Sequence, residues 1–270
     1  MTAMTDMISL PTSNGVFRVA TRGAKDAPVL LLSNSLGTTL EMWQGQMDAF
    51  SDTHRVVCYD TRGHGGSPVT PGPYYFQGLG DDVLAIMDAL DIERAVFCGI
   101  SMGGHTGLWL GVHAGERFSG IAVCNSAAKI GTAQAWAERA AAVRQNGAAG
   151  MRALADSSPE RWFTPDFIQA EPEVVTRAQS WIAGIAPEGY AACCEALAES
   201  DLRADLGRIS VPTLLLAGES DPVTTVADAQ AMHDAIQGST LASVPASHLS
   251  NLEAPQAFNQ ALKNFIASLG

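Results

Sequence analysis

The stretch Ala95-Val96-Phe97-Cys98-Gly99-Ile100-Ser101-Met102-Gly103-Gly104 decides the fold. Residues 95–99 form a short, apolar run of strand length, as expected for a strand buried on both faces of a parallel sheet. Residues 102–113 are rich in small side chains and read as a helix. Gly99-x-Ser101-x-Gly103 sits at the junction. Alone, that pattern is only moderately specific in a chain with 26 glycines. A strand before it and a helix after it supply the context that gives it a mechanism. The two glycines leave room for a strained serine backbone. The Ser101 hydroxyl then stands exposed above the C-terminal edge of the sheet. The Met102 N–H, at the helix start, can face a developing oxyanion.

Working outward, the same rhythm continues on both sides. Upstream, strands are expected at 7–10 and 16–20, flanking the hairpin signal Asn14-Gly15. Further strands are expected at 28–33 and 55–59, and a helix over 76–90 from the spacing of Leu79, Val83, Ile86, Met87 and Leu90. Downstream, 119–124 reads as a strand, and then the alternation stops. From 127 to 204 only helical patterns occur, at 133–144, 150–156, 174–185 and 190–198, punctuated by Pro and Gly. The alternation resumes with a strand at 212–217, a helix at 226–236, a strand at 240–244 and a closing helix at 255–269. The expectation is an α/β fold: a mostly parallel eight-stranded sheet flanked by helices. Its core spans 1–126 and 205–270, with an all-helical cap, 127–204, inserted after the sixth strand.

Composition narrows the function classes. Of 270 residues, 47% are hydrophobic and 16% charged, which excludes a disordered chain. Lys plus Arg total 16 against 28 Asp plus Glu, a formal charge of −12. Such a surface repels phosphate backbones and anionic lipid, so neither nucleic acid nor a membrane is an expected partner. No apolar run has the length of a membrane span. The first seven residues lack a basic stretch followed by an apolar one, so no signal peptide is expected. Five cysteines, an odd set without framework spacing, point to a reducing compartment, hence the cytoplasm. The adjacent Cys193 and Cys194 read as helix packing, since no second ligand pair lies nearby. No metal-ligand spacing occurs, and the expected cofactor and metal are none.

A serine hydroxyl is a weak nucleophile without a base, and the base needs an orienting acid. Six histidines compete: His54, His64, His105, His113, His233 and His248. His248 follows the 240–244 strand in a loop at the same sheet edge as Ser101. His64, in Asp60-Thr61-Arg62-Gly63-His64-Gly65, is the runner-up and reads more simply as a loop brace. For the acid, Asp221 follows the 212–217 strand. Asp60 also follows a strand, but Arg62 beside it offers an ion pair instead. Asn125 ends the sixth strand, where an acid would also serve, but an amide cannot. The chain order Ser101, Asp221, His248 is that of α/β-hydrolases. A second oxyanion donor is expected from the loop Asn34-Ser35-Leu36-Gly37-Thr38-Thr39, with the Leu36 N–H as candidate.

Several motifs together resemble 3-oxoadipate enol-lactone hydrolases. They are Ser33-Asn34-Ser35-Leu36-Gly37-Thr38, Tyr59-Asp60-Thr61-Arg62-Gly63-His64-Gly65, the turn 99–104, Arg161-Trp162-Phe163-Thr164, and Cys193-Cys194-Glu195-Ala196-Leu197 with Asp201-Leu202-Arg203. The similarity covers nearly the whole chain, and the Ser-Asn-Ser-Leu-Gly loop and insertion motifs are its discriminating part. The resemblance implies a cytoplasmic bacterial enzyme of aromatic-acid catabolism that opens an anionic lactone through an acyl-enzyme on Ser101. A general carboxylesterase or perhydrolase on the same fold is the alternative, and a non-catalytic ligand receptor a more distant one. The lactone substrate bears a carboxylate that an acidic protein must bind. Trp136 and Arg139, spaced i, i+3 on one helix face, are the expected ligand contacts, Arg139 meeting the carboxylate and Trp136 walling or hydrogen-bonding the ring, with Arg161-Trp162 as a second pair. The chain is expected to be a monomer or a small homo-oligomer.

Overall fold

A computed structural model describes residues 6–270. The expectation about the extreme N-terminus therefore lies in part outside the described residues. Eight strands form one sheet: β1 (Asp6–Thr12), β2 (Gly15–Arg22), β3 (Val29–Ser33), β4 (Arg55–Tyr59), β5 (Ala95–Ile100), β6 (Phe118–Cys124), β7 (Thr213–Gly218) and β8 (Thr240–Val244). Their spatial order is β1-β2-β4-β3-β5-β6-β7-β8. The first hairpin turns at Asn14-Gly15, with Thr12 opposite Gly15, and β2 is antiparallel to both its neighbours. Every other pairing is parallel. All residues of β5 and β7 are buried. That explains their unbroken apolar sequence: both faces are covered by helices, so no alternation is selected.

Outside the 127–204 segment the helices are α1 (Gln44–Phe50), α2 (Phe76–Ala89), α3 (Met102–His113), α9 (Val226–Ala235), α10 (Ser250–Glu253) and α11 (Pro255–Ala267). Between β6 and β7 the chain makes α4 (Ala133–Ser157), α5 (Pro159–Trp162), α6 (Pro165–Ala170), α7 (Pro172–Gly184) and α8 (Pro187–Glu199). The two helices expected at 133–144 and 150–156 meet as α4, which kinks where Gly147 takes φ 54°. A residue with a Cβ rarely adopts that backbone. Proline opens each of α5 through α8, where a missing N–H costs no helical hydrogen bond. The short α1, α5 and α6 carry too few turns for a periodic signal, and sequence reading passed over them. No helix among the described residues is long and apolar enough to cross a membrane. All five cysteines are buried and unbridged, and Cys193 and Cys194 pack inside α8 as expected.

One expected pairing is not formed. Asp60 pairs with Arg18 of β2, at 3.0 Å, rather than with Arg62. Arg62 instead pairs with Asp82 of α2. Two residues apart in a turn, the Arg62 and Asp60 side chains diverge, and each meets the partner that the sheet brings to it. Asp60 also accepts the Leu40 N–H at 2.8 Å and the Gly66 N–H at 2.9 Å, so it ties the loop after β3 to the loop after β4.

Candidate active site

Ser101 sits at φ 56° and ψ −115°, the strained turn foreseen from its glycines. Close packing demands those glycines. A Cβ on Gly103 would lie 2.3 Å from the Ser33 carbonyl oxygen, and one on Gly99 would lie 2.2 Å from that of Gly103. The turn is held by the Ser101 N–H, which donates to the Cys124 carbonyl at 2.9 Å, and by the Ser126 hydroxyl, which donates to the Ser101 carbonyl at 2.8 Å. Strain of this kind persists only where its surroundings over-determine it.

His248 and Asp221 meet at the same edge. Asp221 Oδ2 accepts from His248 Nδ1 at 2.8 Å, and also from the Thr224 hydroxyl at 2.8 Å and the Asn125 amide at 3.0 Å. Its other oxygen accepts the N–H groups of Val223 at 2.8 Å and Thr224 at 3.1 Å. Burial alone would raise this carboxyl. The charge of His248, its hydrogen bond and those of Asn125 and Thr224 outweigh burial and hold the group at about 2. Asp221 is therefore an anion at any working pH, and donation from Nδ1 to it leaves His248 Nε2 free to take a proton.

Asn125 does more than occupy a vacated acid position. At φ 44°, its amide donates to Asp221 and, at 3.0 Å, to the Ser247 carbonyl, while its oxygen accepts from Ser250. One side chain thus links the acid to the loop carrying the histidine. Its strand-end position was visible in the sequence, but its partners were not.

The loop after β3 places Leu36 on the same cavity as Ser101. Neither the Leu36 N–H nor the Met102 N–H donates a hydrogen bond among the described residues. Beside Leu36, the Gly37 N–H donates to His64 Nε2 at 2.9 Å, and the opposite ring nitrogen of His64 lies 3.3 Å from the Arg62 carbonyl. Accepting at Nε2 fixes the neutral tautomer protonated at Nδ1. Burial drives this imidazole down to about 4, so it stays neutral. His64 is the loop brace expected of it.

Ser101, His248 and Leu36 border a cavity of about 200 Å³, with Trp136, Arg139, Arg161, Trp162, Ile182, Tyr190 and Leu197 of the helical insertion around it. Both expected pairs therefore reach the same space. Arg139 lies with its guanidinium carbon 5.0 Å from the Trp136 ring centre, a cation–π contact. Arg161 donates to Ser157 at 3.2 Å. Among the described residues neither guanidinium has a carboxylate partner within ion-pair distance. Burial, and then the charge of Arg139, pulls Arg161 below its ordinary value. Two unpaired cations against one apolar cavity lack an anion. The Trp136 indole N–H donates to the Ile130 carbonyl at 2.6 Å, which leaves the walling alternative for this side chain and no free donor for a ligand.

Among the described residues, no group of three or more His, Cys, Asp or Glu is arranged to hold a metal. Residues 28–255 match the alpha/beta hydrolase fold family. The chain is 52% identical over 255 residues to 3-oxoadipate enol-lactonase 2 of Acinetobacter baylyi, covering 94% of each chain. It is 47% identical over 251 residues to 3-oxoadipate enol-lactonase 1 of the same organism, covering 93% of each. The solved enol-lactonase from Burkholderia xenovorans LB400 superposes with a TM-score of 0.92 at 40% identity, covering 97% of this chain and 100% of that one.

Proposed function

The chain belongs to the α/β-hydrolase fold family and, within it, to the 3-oxoadipate enol-lactonases, and from that premise we propose that it opens its lactone with Ser101, His248 and Asp221 beneath a cap formed by residues 127–204. Two unpaired guanidiniums, Arg139 and Arg161, beside Ser101 in one cavity carry the substrate reading. A simple ester would leave both without a counter-charge. An enol-lactone with a carboxylate side arm supplies the ester carbonyl below and the anion above.

Ser101 Oγ attacks the lactone carbonyl while His248 Nε2 takes its proton. The charge that develops on the carbonyl oxygen falls to the Leu36 and Met102 N–H groups. These donors are preorganised and cost no rearrangement. Asp221 stabilises the imidazolium through Nδ1 and remains ionised. Collapse breaks the ring C–O bond, and the enolate oxygen leaves with the proton from His248. The enol becomes a ketone, so the departed oxygen is a poor nucleophile and the ring does not re-close. Water, deprotonated by His248, then cleaves the acyl-serine and restores Ser101. Arg139 and Arg161 grip the carboxylate by charge-assisted hydrogen bonds, and Trp136 with Trp162 walls the ring. A reducing compartment such as the cytoplasm accords with five unbridged cysteines.

The test is loss of ultraviolet absorbance of 3-oxoadipate enol-lactone with purified protein, with Ser101→Ala and p-nitrophenyl acetate as controls. Rapid lactone loss, well above ester cleavage and reduced at least about a thousandfold in the variant, is the expected outcome. Ester cleavage without lactone turnover would keep the serine hydrolase and discard the substrate.

A further inference from the structure

The insertion segment that carries Arg161 and Trp162 is fastened to the His248 loop on both sides of the histidine. On one side, the Leu249 N–H donates to the Trp162 carbonyl at 3.0 Å. On the other, the Ser247 N–H donates to Glu253 Oε2 at 2.8 Å. Glu253 completes the connection with its second oxygen, which accepts the Thr164 N–H at 3.1 Å and the Thr164 hydroxyl. A single carboxylate from α10 thus holds the catalytic loop with one oxygen and the insertion with the other. On the core side the same loop is held by Asn125, through the Ser247 carbonyl. Asp221 orients the imidazole ring, but it touches none of the backbone that carries it.

We propose that Glu253 is a positioning residue that couples the grip on the substrate's remote carboxylate to the placement of His248. This rests on reading Arg161 as a ligand of that carboxylate. An anion on Arg161 fixes segment 161–164. Through Trp162, Thr164 and Glu253 it also fixes the two N–H groups that flank His248. Binding energy at a part of the substrate that does not react is thereby expressed in the rate of the chemical step, as well as in affinity. A neutral ester, leaving Arg161 empty, draws no such benefit.

The experiment measures kcat and KM for Glu253→Gln, Thr164→Val and Thr164→Ser on the anionic lactone and on p-nitrophenyl acetate. A glutamine has one acceptor oxygen and an NH2 group that can only donate, so it cannot accept from both Ser247 and Thr164. For Glu253→Gln, lactone kcat is expected to fall about tenfold with KM changed less than about twofold, while ester kcat falls no more than about twofold. Thr164→Val should shift the lactone kcat in the same direction but less. Thr164→Ser, which keeps the hydroxyl, should stay near wild type. The Thr164 pair carries the test if Glu253→Gln does not fold. Equal losses on both substrates would reduce Glu253 to a general support of the loop and overturn the coupling. So would a change in KM alone, or no change in either. A wild-type protein that cleaves the ester but not the lactone overturns the substrate reading itself and the coupling with it, and this is seen without any variant.

Discussion

His64 Nε2 accepts the Gly37 N–H at 2.9 Å, one residue beyond Leu36, which lines the same cavity as Ser101. A histidine from the loop after β4 therefore holds the loop after β3 beside the proposed oxyanion donor. Gly37 takes φ +83°, a backbone open to glycine but resisted by a residue with a Cβ, and this turns its N–H toward His64. Replacing His64 with Leu leaves the Gly37 N–H buried without an acceptor and frees the loop. The expected result is a loss of kcat of about tenfold, equal for lactone and neutral ester because both need the oxyanion donors. Steady-state kinetics on the two substrates check it, and a loss confined to one of them would contradict it.

The Asn125 amide lies 3.0 Å from Asp221 Oδ2, which makes Asn125→Asp an informative change. Two carboxylates would then share one site, and both cannot stay ionised. The acid at His248 would be weakened, and the Ser247 carbonyl would lose its donor. With less negative charge held against the imidazolium, the acid limb of the kcat/KM profile should move to lower pH by about one unit, with a lower plateau. An unchanged profile would show that Asn125 does not govern the acid.

Arg139 should be separable from the chemistry, whereas loss of Arg161 should also lower lactone kcat through the connection to the His248 loop. Arg139→Ala and Arg161→Ala are each expected to raise KM for the anionic lactone about tenfold, and the double variant more, while KM for p-nitrophenyl acetate stays within about twofold. Equal effects on the two substrates would remove both arginines from the carboxylate role.

Stability should fall as pH drops from 7 to 5. Burial holds His64 and His105 at about 4, against about 6.5 in the unfolded chain. Between those values the unfolded state binds more protons, so stability is fully present above the unfolded value and is lost as pH falls toward 4. Asp221, at about 2, adds its own loss only below the ordinary carboxylate range. Burial raises Asp60 and Asp82, which act with the opposite sign on the acid side of this window. Thermal melts should drop by about a few degrees from pH 7 to pH 5. The slope should shrink in His105→Gln, which removes a ring that bridges the Ala127 carbonyl and Ser200 at 2.8 and 2.7 Å. A slope unaltered in that variant would place the pH dependence elsewhere.

The strand-turn-helix at Ser101, the eight strands, the helical insertion and the order Ser101, Asp221, His248 were all legible along the chain. Each rests on local causes: apolar period, the room a glycine leaves, and a strand's direction, which places every residue just past its C-terminal end at one edge of a parallel sheet. Such causes act over a few residues, and sequence displays them directly. The short helices α5 and α6 were missed for the same reason, since one or two turns show no period.

Which long side chain meets which was decided only in three dimensions. Asp60 pairs with Arg18 although Arg62 is two residues away, because strand order sets β2 beside β4. Trp136 spends its N–H on Ile130, Arg161 joins Arg139 over one cavity, Asn125 reaches Asp221, and Glu253 reaches Thr164 across 89 positions of chain. Hydrogen bonds and ion pairs act over about 3 Å with strict direction, so they depend on how the insertion packs on the sheet. The local sequence determined where Ser101, His248 and Asp221 stand. The packing of distant segments decided what holds them there and which side chains border the cavity above them.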